Sequence, residues 1–227
     1  MIRLSHVRIQ ALIRSIYLDL WQEHGPQGWW PVLCEDSESY YHPKAYNIPK
    51  TRAGRFEVCV GAILTQNTAW TNVEKALWRL SAAGYLAPEV MLQSSLDSLQ
   101  EFIRPAGYYH QKSSYLLSMC EWFLRVEAAL DAGIIPSRAE LLACRGVGPE
   151  TADSILLYAY FQPTFVVDTY TKRILSGHGL IDETWSYTQI QDLFQSSLAP
   201  DVTLFQEYHA LIVAHAKVHY TKKKKIC

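Results

Sequence analysis

The chain has 227 residues, 49% of them hydrophobic and 12% aromatic, which is enough apolar surface for a globular core and argues against intrinsic disorder. Its 21 basic and 22 acidic residues nearly cancel, so a broadly cationic surface is excluded and any contact with nucleic acid needs a local patch. The five cysteines are widely scattered, a pattern that fits neither a disulfide framework nor a cysteine-pair metal site. The sequence has no apolar run of about 20 residues and no signal peptide pattern, so we expect a cytoplasmic protein, associated with the nucleoid if it is bacterial.

Apolar residues recur at the spacing of amphipathic helices along most of the chain, whereas sustained two-residue alternation is absent. Eight segments show the helical period: 6–24, 56–64, 71–80, 109–130, 150–160, 168–177, 187–198 and 203–219. Thr71, Ser137 and Asp201 are residues of types that often begin helices. Thr71 and Asp201 stand at or near the starts of two of these segments, and Ser137 precedes a short helical stretch. The pattern predicts an all-α protein with short connections.

Residues 33–55 break this pattern because they are rich in tyrosine, proline, serine and charge. The segment is too long for an ordinary connection within a compact domain, so it is interpreted either as a functional lid or as a mobile insertion. A second unusual stretch consists of four consecutive lysines at 222–225. It is interpreted as a solvated tail that would add salt-dependent affinity if it lay near a DNA groove.

A glycine-rich turn at Gly146, Val147 and Gly148 stands between a short helix that ends near Cys144 and a helix that begins at Pro149. Proline suits the first helical turn, where its missing amide proton would have no acceptor, and glycine lets a backbone approach a partner closely. We expect free amides at this turn to face outward, as in sites that bind anionic oxygens at helix amino termini. An ordinary corner between two helices is the alternative interpretation.

Asp168 follows the apolar residues 165–167 and precedes a helical segment. The position suits a helix cap, an interaction worth about 0.5–2 kcal/mol. A carboxylate beside an apolar wall can also stabilise the positive charge that develops on a sugar during glycosidic cleavage. Position alone favours the cap.

Four ordered motifs carry a family resemblance. They are 61–68 (GAILTQNT) with 72–75 (NVEK), 104–112 (RPAGYYHQK), 144–153 (CRGVGPETAD) with 165–173 (FVVDTYTKR), and 208–217 (YHALIVAHAK). Together they resemble the helix-hairpin-helix DNA glycosylases of the endonuclease III superfamily. The resemblance implies an all-α fold of two helical subdomains, with double-stranded DNA that carries a damaged base bound across the cleft between them. We also expect a monomer, and the lack of a long apolar run predicts no membrane association.

The resemblance also implies domain boundaries. Residues 1–32 and 164–227 would form a bundle of amino- and carboxyl-terminal helices, and residues 56–163 a six-helix barrel with the helix-hairpin-helix at 138–160. Residues 33–55 have no counterpart and are left as an insertion.

The family match changes the interpretation of Asp168, because the matching aspartate of the family supports cleavage of the glycosidic bond. Bifunctional members carry a lysine at the position of Glu150, and its amine forms a Schiff base with the sugar. A carboxylate cannot form that imine, and Lys172 lies at a different position of the motif. The sequence therefore predicts a monofunctional glycosylase that leaves an abasic site.

Cofactors are also implied by the resemblance. In the family, hairpin carbonyls that match Leu142, Cys144 and Val147 hold a monovalent cation, so Na⁺ or K⁺ is the one ion expected there and no cofactor is required. Iron–sulfur members carry four cysteines shortly after the last helix. This chain has Cys227 alone, with Thr221 near the position of the first ligand, so no iron–sulfur cluster is expected.

Trp29, Trp30 and Trp70 together with Glu150 look most similar to the 3-methyladenine DNA glycosylase branch, in which aromatic rings sandwich the flipped base. A methylated purine is cationic, and an aromatic ring attracts a cation by about 0.5–2 kcal/mol. A cationic base also leaves readily, so one carboxylate and an aromatic slot can suffice. The predicted base pocket comprises Trp29, Trp30, Pro31, Trp70, Glu150 and Lys217.

The predicted DNA contacts comprise Gln66, Asn67, Arg145, Gly146, Val147, Gly148, Glu150, Thr151 and Lys172. By resemblance, Gln66 or Asn67 would fill the space left in the duplex or touch the orphan base; a helix cap is the alternative. The hairpin would hold phosphate without reading bases. Two other functions stay open: a glycosylase for an oxidised pyrimidine or for a mismatched thymine or adenine, and a non-catalytic hairpin module that binds DNA or a partner.

Overall fold

The structure is a computed structural model that describes residues 6–34, 40–130, 132–182 and 184–220. Within these ranges it contains eleven α-helices, a short 3-10 turn at Arg104–Ala106 and no β-strand, which confirms the predicted all-α class. The helices are α1 (His6–His24), α2 (Arg52–Leu64), α3 (Trp70–Ala82), α4 (Pro88–Gln93), α5 (Leu96–Ile103), α6 (Tyr109–Leu130), α7 (Arg138–Leu142), α8 (Pro149–Ala159), α9 (Thr169–Gly177), α10 (Tyr187–Ser197) and α11 (Val202–His219).

Some predictions fall on residues outside these ranges, namely Thr221, the lysines at 222–225, Cys227, and residues 35–39 of the predicted insertion. None of the helices in the described ranges has both the length and the apolar character that a membrane span requires.

Side chains define where several helices begin. The N-cap side chain accepts a backbone hydrogen bond at Thr51 (α2), Ser95 (α5), Ser137 (α7), Asp168 (α9), Ser186 (α10) and Asp201 (α11). The starts predicted at Ser137 and Asp201 are thus confirmed. The start predicted at Thr71 is wrong, because α3 begins at Trp70 after Ala69, which has no side chain that could cap it. The helices α4 and α5 were not predicted, because six and eight residues repeat too few apolar positions to define a period.

The chain divides into two compact units, and the first comprises the described residues of 1–29, 41–46 and 162–227. Its core is aromatic: Phe165 stacks on Phe194 with ring centroids 3.8 Å apart. Phe205 and Tyr208 of α11 meet Phe165 edge to face. The Tyr208 hydroxyl donates a 2.8 Å hydrogen bond to the Ile13 carbonyl in α1. This contact joins helices from the two ends of the sequence in one core.

The second unit comprises the described residues of 30–40 and 47–161. Helix α2 lies at its centre and packs against α3, α6 and α8. Every residue of α2 from Phe56 to Leu64 is buried, including one carboxylate, Glu57. Its oxygens accept 2.8 Å hydrogen bonds from the amides of Leu33 and Cys34, so the buried charge is stabilised by donors from a neighbouring loop.

The described part of 33–55 does not form a body of its own. Residues 41–46 belong to the first unit, and the rest belong to the second. In the first unit, the Tyr46 hydroxyl donates a hydrogen bond to the Glu207 carboxylate, and the Gln27 amide donates to the same carboxylate at 2.8 Å. Burial raises the pKa of Glu207, which these donors oppose. This stretch of the predicted insertion is therefore attached to α11 through a buried carboxylate.

Candidate functional site

The glycine-rich turn joins α7 to α8 as the sequence predicts. Gly146 adopts φ +82°, a left-handed backbone conformation that favours glycine. A Cβ atom added at Gly146 would lie 2.2 Å from Cγ of Tyr115, so the packing of this ring also requires a glycine. Gly148 is the N-cap of α8, and Pro149 occupies the first helical turn. The left-handed backbone conformation and the lack of space for a side chain thus each explain why residue 146 is a glycine.

The expectation that the amides of this turn are free is wrong for two of them. The Val147 amide donates to the Cys144 carbonyl at 3.1 Å, and the Arg145 amide donates to Ser118 Oγ at 3.3 Å. These bonds hold the turn in shape, and their protons are already used within the protein. The amides of Gly148 and Thr151 lie at the amino end of α8, where a helix supplies no acceptor of its own. An anionic oxygen is therefore best received at the start of α8.

The side chain of Gln66 forms hydrogen bonds with this turn and with the start of α8. Its amide Nε2 donates to the Gly146 carbonyl at 2.9 Å and to Thr151 Oγ1 at 3.0 Å. The side chain is therefore engaged within the second unit, and both protons of the amide are used. Asn67 is exposed and has φ +51°, a conformation that is uncommon for a residue with a side chain. Of the two predicted intercalating residues, Asn67 is the one whose side chain lies at the surface.

A buried lysine forms hydrogen bonds with residues on both sides of Gln66 and Asn67. Lys112 is 2% exposed, and its Nζ donates to the Leu64 carbonyl, Thr68 Oγ1 and the Ala106 carbonyl at 2.8–2.9 Å. Burial lowers the pKa of Lys112 to about 8. Lys112 ends the motif 104–112, but the sequence pattern does not predict that its ammonium group is buried.

A second buried charge joins the two helices of the hairpin. Asp153 in α8 is fully buried, and its two oxygens accept from Arg138 Nε at 2.7 Å and Nη2 at 3.0 Å. Ser137 and Glu140 form a capping box at the start of α7. The angle between α7 and α8 is thus stabilised by a bidentate ion pair, which the sequence analysis did not identify.

Trp30 and Trp70 lie in the interior of the second unit, 3% and 8% exposed. Their rings meet edge to face with centroids 5.3 Å apart, and Trp30 also packs on Tyr158. Gly61 lies against the Trp30 ring, where an added Cβ would be 3.1 Å from its nearest atoms. Pro31 is buried as well. A base reaches the Trp30 ring only if its neighbours move.

Trp29 belongs to the first unit and has a different environment. Its ring lies 5.3 Å from Nζ of Lys217 and 6.4 Å from the ring of Tyr41. A lysine ammonium at this distance makes a cation–π contact. The structure therefore brings together two of the predicted pocket residues, Trp29 and Lys217, in the first unit.

Asp168 is the N-cap of α9, which confirms its interpretation as a helix cap. Its Oδ1 accepts from the Thr171 amide at 2.7 Å and from the Thr171 hydroxyl at 2.8 Å. The other oxygen, Oδ2, lies 3.8 Å from Nε2 of His209, beyond hydrogen-bond distance. The side chain is 12% exposed. One oxygen therefore positions the group, and the second is available for chemistry.

His209 lies in the motif 208–217, but the sequence pattern does not predict that its ring lies beside Asp168. Burial lowers the pKa of this imidazole, and the nearby charge of Asp168 partly opposes the shift. His209 is thus neutral at neutral pH. A neutral ring beside Oδ2 leaves the negative charge of the carboxylate uncompensated, which is the state that stabilises a developing cation.

Of the other predicted contacts, Val147 and Thr151 are buried, each 7% exposed, and three lie at the surface. Glu150 is exposed in the first turn of α8, where a negative charge is favourable. Arg145 is exposed as well. Lys172 is exposed, and its Nζ donates to the Trp185 carbonyl at 3.1 Å. That contact joins the lysine to the loop between α9 and α10.

Comparison with known proteins adds the family. Residues 60–200 match the HhH-GPD superfamily of base excision DNA repair proteins. A Methanocaldococcus jannaschii protein that is provisionally named a DNA repair glycosylase is 40% identical over 222 residues, 95% of this chain and 91% of that protein. Endonuclease III of Sulfolobus acidocaldarius is 26% identical over 184 residues, 81% of each protein.

Solved structures give the same result. The H. pylori 3-methyladenine DNA glycosylase MagIII, solved with 1,N6-ethenoadenine, is similar with a TM-score of 0.70 and 25% identity, over 95% of this chain and 98% of that one. A trapped endonuclease III–DNA covalent intermediate has a TM-score of 0.71 at 19% identity, over 94% and 89% of the chains, a likeness of fold alone. The chain therefore belongs to the HhH-GPD superfamily of base excision DNA repair proteins, and it is a DNA glycosylase.

Proposed function

We propose that this glycosylase is monofunctional and that it removes alkylated purines such as 3-methyladenine from double-stranded DNA, leaving the strand intact at an abasic site. The observation that carries the proposal is the presence of a partly exposed carboxylate, Asp168, together with a glutamate, Glu150, at the position that matches the lysine of bifunctional members. The first group supports hydrolysis, and the second cannot form a Schiff base.

Asp168 acts on the sugar. The bond between C1′ and the base nitrogen breaks with its electron pair leaving on the base, and the sugar acquires oxocarbenium character. The negative charge on Oδ2 stabilises this cation, while Oδ1 keeps the side chain oriented through Thr171. Water then adds to C1′, and its proton passes to the carboxylate. No imine forms, so the phosphate backbone is not cleaved.

An aromatic residue supports the proposed substrate class. The Trp29 ring lies 5.3 Å from the ammonium of Lys217, so its face attracts a positive charge, and a cationic base would use this face by displacing that ammonium. A methylated purine carries such a charge in a flat ring, and the attraction would favour it over the neutral purine by about 0.5–2 kcal/mol. The likeness to an H. pylori enzyme named for 3-methyladenine supports the same substrate.

The hairpin would bind DNA phosphate independently of the base sequence. The first-turn amides of α8 would face the phosphate, and Arg145 would add charge. The Cys144 carbonyl accepts one hydrogen bond from Val147 and keeps a second lone pair, which fits a bound Na⁺ or K⁺ held with the carbonyls of Leu142 and Val147. We propose no other cofactor for the reaction. The enzyme would act as a monomer in the compartment that holds the genome.

Product analysis tests the proposal. A duplex methylated to contain 3-methyladenine is incubated with the enzyme, the released bases are separated by chromatography, and labelled strands are resolved before and after alkali. We expect free 3-methyladenine and strand breaks that appear only after alkali. Breaks without alkali, together with a complex trapped by borohydride, would contradict monofunctional action. Release of only oxidised pyrimidines or mismatched bases from a lesion panel would contradict the substrate class.

A further inference from the structure

Four potential metal ligands meet where α1 and α11 end. Glu23 and His24 are the last two residues of α1, and His215 and His219 lie one turn apart at the end of α11. One ligand atom from each residue can be chosen so that all four atoms lie within 4.8 Å of one another. Nothing in the proposed glycosylase chemistry uses these side chains.

The distances between the ligand atoms are close to those of a tetrahedral site. Nε2 of His24 lies 3.1 Å from Nδ1 of His215, and the Glu23 carboxylate lies 3.6 Å from His24. Oε2 of Glu23 is 3.3 Å from Nδ1 of His215, and Oε1 is 2.9 Å from Nε2 of His219. Zinc bonds of about 2.0–2.1 Å in tetrahedral geometry place neighbouring ligand atoms about 3.3–3.4 Å apart. Small side-chain rotations would therefore bring these distances close to the spacing of ligands around one ion.

The chemistry of the ligands selects a class of metal. Three imidazoles and one carboxylate are the ligands of Zn²⁺ and of similar divalent transition metals, whereas Mg²⁺ and Ca²⁺ prefer oxygen alone. The side chains of Glu23 and His219 are each 45% exposed, which leaves a path from solvent. His24 and His215 are 11% and 22% exposed, so the inner side of the cluster is partly shielded from water.

We propose that Glu23, His24, His215 and His219 bind a divalent transition-metal ion, with Zn²⁺ the best fit. Four protein ligands would close the coordination sphere, as in structural zinc sites. The ion would fasten the end of the first helix to the end of the last, and the two ligand pairs are 191 residues apart along the chain. The site would also secure the start of the loop that carries Trp29, because the His24 carbonyl accepts from Gln27 Nε2 at 3.0 Å.

Metal binding by the untagged, chelator-treated full chain tests this proposal. Zn²⁺ is titrated by calorimetry into the wild type, His219→Ala, His24→Gln and the control His110→Ala. His110 is an exposed histidine of α6 outside the cluster. We expect one ion per chain with a Kd below about 1 μM for the wild type and the control, and affinity weakened at least about tenfold in both cluster variants. Equal affinity in all four proteins, or a wild-type Kd above about 100 μM, would overturn the proposal.

Two further measurements separate this site from binding elsewhere. Co²⁺ should give the intense visible absorption of a tetrahedral site with nitrogen and oxygen ligands, and a strong thiolate charge-transfer band would place the metal on cysteines instead. Zinc at about 100 times its Kd should raise the Tm of the wild type by about 5–10 °C. His219 is exposed at the end of its helix, so His219→Ala should fold and should lose this rise. A rise that persists undiminished in the variant would also contradict the assignment.

Discussion

Two aspartates fifteen residues apart in the best-matched part of the sequence have opposite environments. Asp153 in the second unit is fully buried, and both of its oxygens accept from Arg138. Asp168 in the first unit is 12% exposed and uses only Oδ1 in its helix cap, while Oδ2 lies near a neutral histidine. The same residue type stabilises the fold where its charge is matched, and its charge stays available to stabilise a cation where the match is only partial.

The largest effect on stability is expected from removing the ion pair between Arg138 and Asp153. Arg138→Ala removes the charge that faces the buried Asp153 carboxylate, and we expect the free energy of unfolding to fall by about 3–5 kcal/mol. Chemical denaturation measures this loss. The matched control is Arg104→Ala, which removes an ion pair whose two side chains are 63% and 67% exposed. It should cost about 0–1 kcal/mol. Similar losses in the two variants would mean that burial of Asp153 does not determine its role.

Asp168→Asn should remove catalysis and spare the fold. Asparagine caps a helix about as well as aspartate, so the geometry at α9 is kept while the charge is lost. We expect single-turnover base release to fall by about 10²–10³-fold, with duplex binding within about twofold of wild type. Asp201→Asn, which changes the N-cap of α11 in the same unit, is the control and should keep full activity. Base release by Asp168→Asn at a near wild-type rate would show that this residue is a helix cap without a role in catalysis.

A third test concerns the turn next to Asp153. Gly146→Ala forces a side chain into a left-handed position and against the Tyr115 ring, whereas Gly84→Ala meets the same conformational cost at φ +71° with nothing within 4 Å. We expect Gly146→Ala to be less stable than Gly84→Ala by about 1–3 kcal/mol, and to bind duplex DNA more weakly. Thermal unfolding and a binding assay measure both. Equal stability of the two variants would show that Tyr115 moves aside.

The smallest effect concerns the neighbour of Asp168. The pKa of His209 in the folded protein is lowered from its ordinary value of 6.5 by burial. The unfolded state therefore binds more protons below about pH 6.5, and the stability that His209 contributes above this pH is lost as the pH falls. We expect the free energy of unfolding to decline less between pH 7.5 and pH 5.5 in His209→Asn than in the wild type or His110→Asn. Parallel declines in all three would show that His209 stays accessible to protons.

Much of the fold could be predicted from the sequence, because long amphipathic helices repeat their apolar positions many times. The helices α4 and α5 were missed since they are too short to show a period. Within the candidate site, the conformation of the turn at Gly146 was predictable from the glycines. The engagement of Gln66 with the hairpin was not, because its partners lie 80 and 85 residues away. His209 was missed for the same reason, as the sequence does not show that α11 passes Asp168.

The sequence by itself determined the all-α class, the hairpin and the family, because periodicity and motif spacing are local properties of the chain. It also predicted, through the family resemblance, that Glu150 occupies the position of the Schiff-base lysine of bifunctional members. Only the tertiary structure decided which aspartate has its charge compensated, that Trp30 and Trp70 are packed in the interior, and that Trp29 lies beside Lys217. It alone brought Glu23 and His24 to His215 and His219. These outcomes depend on burial and on contacts between distant residues, which arise only when the helices pack.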